Sequence, residues 1–464
     1  MLLTRSRFPG RAFIATGGQV SEMLTSVYCE QAGLFESIFE GYDGPPFGIR
    51  LWDGWCWTSS AKDNPRFTLI VRSEDALEAM LARPSEITLG EAFLANDIDV
   101  EGDIFSVFAM AEYIFHRPRG RRQRMLEAAS QAVSGWAHWW KEGKRHSIER
   151  DRSAISHHYD QPVDSYRPWL GESLVYSCGY FKSADDDLAA AQANKLELIC
   201  RKLRLCRDDR FLDIGCGWGS LVLHAASRHD VYARGITISR EQAEVAASRV
   251  EAAQMTQSCG VELLDYRQAQ GHLGTFDKIA SIGMFEHVGL KSLSEYFRTV
   301  YEMLRPGGVF LNHGIARAES ATDSDSRLLT RSKFPILQRI PLLRSLRSPS
   351  FIDKYVFPDG ELVTLSDALR AAESAGFEVR DVENLREHYE LTLRAWVEGL
   401  KKNSGALLKQ VSEVTYRTWL LYMAGSAAAF RRGDIAVYQM LLSRPDRGDS
   451  RLPLTREGWY SSGV

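Results

Sequence analysis

Short apolar runs alternate with helical stretches through the second half of the chain. Five of these runs predict strands, at residues 211–215, 231–239, 261–266, 276–284 and 308–315. The segments between them are helical in pattern, as in REQAEVAASRVEAAQ, which begins at Arg240. This alternation predicts an α/β fold, a doubly wound parallel sheet with helices on both faces. Ligands of such sheets bind beyond the carboxyl ends of the strands, which are marked here by Gly215, Thr237, Asp265, Glu286 and His313.

A small accessory domain is predicted before this sheet, in residues 1–150. Within it, residues 65–73 alternate between apolar and polar like a strand, and residues 74–83 have the spacing of a short helix. A basic stretch at 117–124 and a charged run at 141–150 follow, and we interpret the second as a linker. The main domain then occupies residues 151–464.

The composition excludes several classes of protein. Hydrophobic residues make up 44% of the chain and charged residues 25%, which is ordinary for a soluble globular protein. The net charge of -3 gives no reason to expect nucleic acid as a partner. The longest apolar stretch, residues 419–430, is too short to cross a bilayer. The first 21 residues are basic and lack acids, so a targeting segment stays open as an alternative.

The cysteine usage favours a reducing compartment. The chain has seven cysteines, an odd number, without the paired C-x-x-C spacing of a zinc site. The neighbouring His157 and His158 have no carboxylate or cysteine at the spacing of metal ligands. We therefore expect no metal and a cytoplasmic location.

The strongest motif is LDIGCGWGS, in which a predicted strand ends at Gly215 and glycines recur at Gly217 and Gly219. Glycine lets the backbone turn sharply and approach a ligand without an intervening side chain. The spacing G-x-G-x-G differs from the dinucleotide fingerprint G-x-G-x-x-G. LRPGG, at residues 304–308, adds a predicted helix end and turn before the fifth strand. The loop predicts a cofactor site, with helix-on-strand packing of the glycines as the alternative.

Eight sequence blocks together resemble the cyclopropane fatty acid synthase family of S-adenosylmethionine-dependent methyltransferases. The blocks are ISHHYD, LVYSCGYF, LDIGCGWGS, GITISREQ, DYR, SIGMFEHVG, FIDKYVFPDG and HYELTLRAW. The combination of YSCGYF with GMFEHVG is specific, because unrelated methyltransferases share only the glycine loop. The resemblance covers about residues 150–445 and implies a Rossmann-like class I methyltransferase domain. The first part of the chain resembles, more weakly, the small extra domain of the longer members.

The resemblance implies S-adenosylmethionine as the cofactor. It places Tyr176 and Ser177 at the methionine end, and it gives the ribose and adenine contacts to the GITISREQ and DYR blocks. Because the second strand ends in Thr237 rather than an acid, Thr237 and Gln242 would bind the ribose through neutral hydrogen bonds. The predicted cofactor residues are Tyr176, Ser177, Asp213, Gly215, Cys216, Gly217, Gly219, Thr237, Ser239, Gln242, Asp265, Tyr266 and Arg267.

The resemblance also implies attack on the double bond of a phospholipid acyl chain, with a bound bicarbonate as the base. His313 and Tyr389 can donate hydrogen bonds to this anion, and Glu286 can accept one from its hydroxyl. The backbones of Cys178 and Ile315 can complete the cradle. Each residue also has a structural alternative. His313 would be a structural histidine, Glu286 would cap a helix, and Cys178 would be a small buried apolar residue.

Two features depart from the family pattern. Ser426 stands where the family usually has a cysteine, and a serine cannot act as a thiolate. Residues 318–350 form an insertion that compact members lack, in which basic and apolar residues are interleaved without an acid after Asp325. Such a mixture is expected of a segment in a lipid interface, so we expect peripheral association with the phospholipid membrane surface. A flexible basic loop is the alternative.

Several functions remain open at this point. The expected reaction is cyclopropanation of unsaturated phospholipid acyl chains. A relative that releases methylene- or methyl-branched chains would share every site residue. A non-catalytic cofactor-binding paralogue and methylation of a soluble small molecule are further alternatives. The sequence leaves the lipid headgroup, the double-bond position and the oligomeric state open, with a homodimer as one arrangement.

Overall fold

A computed structural model describes residues 32–82, 85–116, 161–183, 185–319, 351–356 and 361–460. The chain divides into two compact units, Met1–Pro118 and Arg119–Val464. The predicted domain boundary at residue 150 lies outside the described residues and stays a prediction. His157, His158 and the predicted insertion beyond Glu319 also lie outside them.

A four-stranded sheet is the centre of the first unit. Its strands are β1 Phe47–Arg50, β2 Cys56–Thr58, β3 Phe67–Val71 and β4 Ile98–Gly102. They are ordered β2-β1-β3-β4, and β1 and β3 run parallel. Helices accompany them at α1 Glu74–Ala82, α2 Glu86–Leu94 and α3 Val107–His116. The strand predicted at 65–73 and the helix predicted at 74–83 are confirmed by β3 and α1.

A seven-stranded sheet is the centre of the second unit. Its strands are β5 Arg210–Ile214, β6 Tyr232–Thr237, β7 Cys259–Leu263, β8 Phe276–Ile282, β9 Leu304–Arg317, β10 Glu378–Asn384 and β11 Ile435–Ser443. They are ordered β10-β11-β9-β8-β5-β6-β7. Strands β5 to β9 pair in parallel, whereas β10 and β11 are antiparallel additions. The predicted doubly wound α/β fold is confirmed.

Helices connect these strands and cover the sheet. They are α4 Val163–Leu170, α5 Leu188–Leu203, α6 Ser220–His229, α7 Arg240–Ala252, α8 Tyr266–Leu273, α9 Leu293–Met303, α10 Phe351–Tyr355, α11 Leu365–Ser374, α12 Arg386–Lys402, α13 Ser404–Leu407, α14 Glu413–Arg432 and α15 Glu457–Tyr460. Among the residues described, no helix combines the length and apolar character needed to cross a bilayer.

The core lies on both faces of the seven-stranded sheet, because successive side chains of a strand point to opposite faces. Phe211 belongs to one buried cluster, together with Leu203 and Val222. The next residue, Leu212, belongs to a second cluster that contains Phe276. Full burial of a large apolar side chain contributes about 1.5–3 kcal/mol. The two clusters therefore hold the helices to the sheet and fix the positions of the strand ends.

Strand β9 is longer than the sequence predicted. It begins at Leu304, so the LRPGG segment is part of the strand, and Gly307 takes a φ of +78° within it. The predicted helix end is confirmed, because α9 ends at Met303, and the register of β8 against β9 is irregular opposite the LRPGG segment, between Phe276 and Lys278. Only the predicted strand start at Gly308 is too late. As a result His313 lies inside β9 rather than at a strand end, and it pairs with Ile282, the last residue of β8.

Candidate active site

The glycine loop joins β5 to α6 through backbone conformations that L side chains rarely adopt. Gly215, Gly217 and Gly219 have φ values of +78°, +54° and +81°. A Cβ built on Gly217 would meet nothing within 4 Å, whereas one on Gly219 would lie 3.1 Å from the Cβ of Ala246 in α7. Gly217 therefore faces open space, and Gly219 serves the packing of helix against helix.

A cleft opens beyond the carboxyl ends of β5, β6 and β8, where a doubly wound sheet binds its ligands. It encloses about 1200 Å³ of space, including its open mouth. All the predicted cofactor residues except Gly219 and Ser239 line it. Ser239 instead caps α7, where its hydroxyl accepts a hydrogen bond from the Gln242 N–H. The predicted motif and the cleft thus coincide.

Polar side chains follow the ends of β6 and β7. Thr237 Oγ1 donates to Gln242 Oε1 at 2.9 Å, so the two residues predicted to contact ribose are neighbours. Asp265 accepts hydrogen bonds from Arg267 Nε at 2.9 Å and Nη2 at 2.7 Å. The guanidinium also lies 5.5 Å from the centroid of the Tyr266 ring. A fixed planar cation and an aromatic ring offer flat surfaces for a purine base.

A buried pair of opposite charges also lines the cleft. Lys195 Nζ donates to Ser177 Oγ at 2.9 Å. Asp213 Oδ1 is buried and has no hydrogen-bond partner among the described residues. Burial raises the pKa of Asp213 to about 7 against the opposing charge of Lys195, and it lowers the pKa of Lys195 to about 8. The open carboxylate oxygen is suited to a cationic ligand group.

Aromatic rings hold one part of the cleft wall in place. Tyr176 contacts Trp169 of α4 and Trp396 of α12, with ring centroids 5.3 and 5.1 Å apart. Trp218, the next aromatic residue of the wall, packs on Tyr166 at 4.9 Å. Such contacts restrict side-chain motion, so the wall is rigid before a ligand binds.

Glu286 lies on the short 3-10 turn Phe285–His287 that follows β8. Its Oε1 accepts a hydrogen bond from the backbone N–H of Ile315 in β9 at 2.8 Å. Its Oε2 is buried without a hydrogen-bond partner in the described part of the chain. Burial raises the pKa of Glu286 to about 7. The Ile315 N–H, predicted to cradle an anion, is thus occupied by the carboxylate itself.

His313 is fully buried beside β11. Its Nδ1 lies 3.3 Å from the amide nitrogen of Gln439. An amide nitrogen only donates, so Nδ1 accepts and the ring proton belongs on Nε2. That Nε2 has no hydrogen-bond partner among the described residues. Burial, with Lys195 and Lys202 acting in the same direction, lowers the pKa of His313 to about 3 and keeps the ring neutral.

Both groups adjoin the cleft. The N–H of Gly283 donates to the carbonyl of His313 at 2.9 Å. Gly283, Met284 and His287 line the cleft, and Glu286 lies in the same turn. Glu286 and His313 therefore lie one step from the lining of the predicted cofactor site, Glu286 as a sequence neighbour of His287 and His313 through its backbone bond to Gly283.

The two remaining predicted catalytic residues lie near the start of α12. The Cys178 thiol donates to the carbonyl of Gly179 at 3.2 Å and, more weakly, to that of Leu385 at 3.8 Å. Burial raises the pKa of this thiol far above its usual range, so it stays protonated. Tyr389 packs on Phe430 of α14 with ring centroids 4.7 Å apart.

Two residues at the site were missed by sequence reasoning. Tyr422 of α14 hydrogen-bonds Ser426, and its pKa is raised by burial and then by the charge of Glu286. The sequence clue to Tyr422 was its position one helical turn before Ser426, where the chain departs from the family pattern. Lys195 falls one turn from the buried Ala191 and Ile199 in α5. A lysine on an apolar stripe signals a buried charge.

The family follows from comparison with known proteins. The model of the mycolic acid cyclopropane synthetase family matches residues 146–440. The chain belongs to this family. A separate model, for a domain of unknown function, matches residues 34–113, within the first unit.

Relatives of the family are similar over much of the chain. A probable fatty acid methyltransferase of Pseudomonas putida is 37% identical over 89% of this chain and 96% of its own length. The cyclopropane-fatty-acyl-phospholipid synthase of Escherichia coli is 36% identical over 62% of this chain and 66% of its own. The structure of mycolic acid cyclopropane synthase CmaA1 with SAH and CTAB matches 63% of this chain and 97% of that one, with 31% identity and a TM-score of 0.54. The chain is an S-adenosylmethionine-dependent methyltransferase, as predicted.

Proposed function

We propose that the enzyme transfers a methylene unit from S-adenosylmethionine to the double bond of an unsaturated phospholipid acyl chain. The alkene carbon attacks the sulfonium methyl group, the sulfur–carbon bond breaks, and S-adenosylhomocysteine leaves. The neighbouring carbon becomes a cation. A base then takes a proton from the transferred methyl, and the electron pair of the broken C–H bond forms the bond to the cationic carbon that closes the cyclopropane ring. The observation that supports this proposal is that Glu286 Oε2 and His313 Nε2, in residues that neighbour the lining of the cofactor cleft, are buried without hydrogen-bond partners among the described residues.

The residues present fit S-adenosylmethionine. Asp213 Oδ1 is free to accept a hydrogen bond from the methionine ammonium, and Gly217 leaves room for the cofactor along the backbone. Thr237 and Gln242 are placed for the ribose hydroxyls, and Arg267 for the base. Tyr176 presents an aromatic face that favours a sulfonium cation.

The residues also fit a bicarbonate ion. Its carbonyl and hydroxyl need a donor and an acceptor, which His313 Nε2 and Glu286 Oε2 provide. Bicarbonate, when bound, supplies a base small enough to reach a carbon in an apolar slot. Glu286 would orient the ion through its hydroxyl, and the neutral His313 would hold it without cancelling its charge. An oriented negative charge here also stabilises the cationic transition state.

Release of methylene- or methyl-branched chains is the second candidate. The Pseudomonas relative and the tuberculostearic acid methyltransferase UfaA1, which is 28% identical, are named for methylation. Ser426, where the family usually has a cysteine, is hydrogen-bonded to Tyr422 near Glu286. A different local contact at this point could redirect the proton loss to another carbon. The E. coli synthase and CmaA1 favour the cyclopropane product.

Mass spectrometry of lipids from a host expressing the protein tests the proposal. We expect monounsaturated phospholipid chains to gain one CH2, with chemical degradation locating a ring. Gain of CH2 as a branch would support the second candidate instead. If the lipids are unchanged although the protein binds S-adenosylmethionine, the result would point to a soluble substrate or a non-catalytic paralogue. We further propose that the enzyme works at the cytoplasmic membrane surface, where such chains are found.

A further inference from the structure

Four side chains outside the catalytic cleft converge between α5 and α6. Glu197 and Cys200 stand one turn apart on α5, and His224 and His229 lie on α6. The ligand atoms of Cys200, His224 and His229 all lie within 4.8 Å of one another. Glu197 Oε2 is 3.2 Å from His224 Nε2 and 3.4 Å from His229 Nε2. The proposed reaction gives none of these residues a role.

We propose that these residues bind a divalent zinc ion. A thiolate, two imidazoles and a carboxylate form a donor set of the kind that Zn²⁺ takes in four-coordinate sites. Ligand bonds of about 2.0–2.3 Å set the donors of such a site roughly 3.3–3.8 Å apart. Glu197 Oε2, at 3.2 and 3.4 Å from the two imidazole nitrogens, is close to that separation. The Cys200 sulfur lies within 4.8 Å of both nitrogens, so side-chain rotation toward the metal would complete the tetrahedron.

Hydrogen bonding alone does not account for the cluster. Arg201 Nε donates to Glu197 Oε1 at 2.7 Å, which orients the carboxylate and leaves Oε2 directed at both histidines. That arrangement would satisfy Glu197 without a cysteine. Yet Cys200, which is fully buried, places its sulfur among the imidazole nitrogens. Arg201 instead matches the outer partner that holds a ligating carboxylate in metal sites.

The sequence predicted no metal because these ligands lack a recognisable spacing. Glu197 and Cys200 are separated from the histidines by β5 and the glycine loop. Only the packing of α5 against α6 brings them together. The usual search for two cysteines or histidines close in sequence does not find such a site.

The position of the site indicates a structural role. Helix α5 carries Lys195 and Leu196, which line the cofactor cleft, and α6 begins with Ser220 and Leu221, which line it too. A metal between the two helices would tie together both sides of the glycine loop. We expect it to stabilise the fold and to support cofactor binding without taking part in the chemistry.

Metal binding to the chelator-treated full chain tests the proposal. Isothermal titration with Zn²⁺ should give one tight site, and zinc should raise the melting temperature. Co²⁺ should give visible bands of a tetrahedral site with a thiolate charge-transfer band. Cys200→Ser should remove the charge-transfer band, and His229→Ala should weaken zinc binding on the order of 100-fold. Cys206→Ser and His272→Ala, at an exposed cysteine and an exposed histidine outside the cluster, should behave as wild type.

The variants differ in their structural risk. Cys200 is buried, so circular dichroism must show that its variant is folded. His229 lies at the end of α6 with a side chain 18% exposed, which makes its replacement milder. Zinc affinity and cobalt spectra that are the same in wild type, Cys200→Ser and His229→Ala would overturn the proposal. The same holds if the chelator-treated wild type shows no tight zinc site.

Discussion

At the scale of single residues, two buried polar atoms without partners are the basis of the proposed bicarbonate site. A buried donor or acceptor left unpaired costs about 1–3 kcal/mol. Glu286 Oε2 and His313 Nε2 both lack a partner within the described structure, and both adjoin the cleft. Such unpaired buried atoms are expected in binding sites, because a bound ligand there supplies the missing hydrogen-bond partners.

Glu286→Gln and His313→Ala should damage turnover far more than cofactor binding. Each change removes one partner of the proposed bicarbonate while leaving the lining of the cofactor cleft intact. Loss of an electrostatic stabiliser of this kind costs on the order of 100-fold or more in rate. Turnover on unsaturated phospholipid vesicles and calorimetric binding of S-adenosylhomocysteine separate the two effects. Near-normal turnover in either folded variant would contradict the bicarbonate site.

Asp213 predicts a pH-dependent cofactor affinity. Burial raises its pKa to about 7 in the free enzyme, so it is partly protonated at neutral pH. A cationic ammonium beside Oδ1 favours the charged form, lowers this pKa and releases a proton on binding. Affinity should therefore fall by up to roughly tenfold per unit as the pH drops below about 7.

Calorimetry of cofactor binding in buffers of different ionisation enthalpy measures the released proton directly. Wild type should release a fraction of one proton near pH 7, and Asp213→Asn should release less while binding more weakly. Thr237→Val serves as a control, because it perturbs the ribose contact without a titrating group. Proton release that is unchanged in Asp213→Asn would show that the carboxylate does not face the ammonium.

At the scale of elements, the glycine loop separates two roles that its sequence alone could not distinguish. Gly217→Val should weaken S-adenosylmethionine binding, since its side chain would enter the open space of the cleft. Gly219→Val should chiefly lower stability, because its Cβ would press on Ala246. Both changes also carry about 1–2 kcal/mol of left-handed backbone strain. Calorimetry measures the cofactor affinity, and thermal melts compare the stability of the two variants. Equal cofactor affinity in wild type and a folded Gly217→Val would refute the cofactor assignment.

The sequence predicted the parallel strands because each is a buried apolar run between helices. It missed β10 and β11 for different reasons. The segment EVRDVEN of β10 is largely polar, as an edge strand allows. The segment IAVYQMLLS of β11 is a buried apolar run, so its strand could have been predicted, but its place in the sheet depends on antiparallel pairing with β9, which is distant in sequence. Gln439, which sets the tautomer of His313, was therefore beyond local pattern reasoning.

Prediction of the site residues likewise succeeded for contacts within one sequence motif and failed for contacts between distant motifs. Residues within one motif, such as Gly217 or the Asp265–Arg267 pair, could be predicted because the loop itself places them. Contacts between motifs, such as Glu286 with the Ile315 N–H, required the register of β8 against β9. The family resemblance identified these residues as candidates. The structure showed which of their atoms have no hydrogen-bond partner among the described residues.

At the scale of the whole molecule, the proposed reaction requires the active site to reach an acyl chain. Strand β9 carries His313 and ends at Arg317, just before the basic and apolar segment of residues 318–350. Residues 320–350 of this segment lie outside the described residues. Strand β9, which precedes the segment in the chain, runs parallel to β8, so its carboxyl end lies at the same edge of the sheet as that of β8. A dock at this point would bring the bilayer to the active site.

Liposome sedimentation tests this dock. Each cation near an anionic surface contributes about 1 kcal/mol, and salt weakens the attraction. Replacing three arginines of the segment with Gln should therefore reduce binding to vesicles rich in phosphatidylglycerol, and added salt should reduce wild-type binding likewise. The variant changes Arg339, Arg344 and Arg347. A control of equal charge changes Arg207, Arg298 and Arg370, which are exposed elsewhere on the second unit, and it should lose less. If both triple variants sediment like wild type at low salt, the segment is not the dock, and the basic stretch at 117–124 becomes the next candidate.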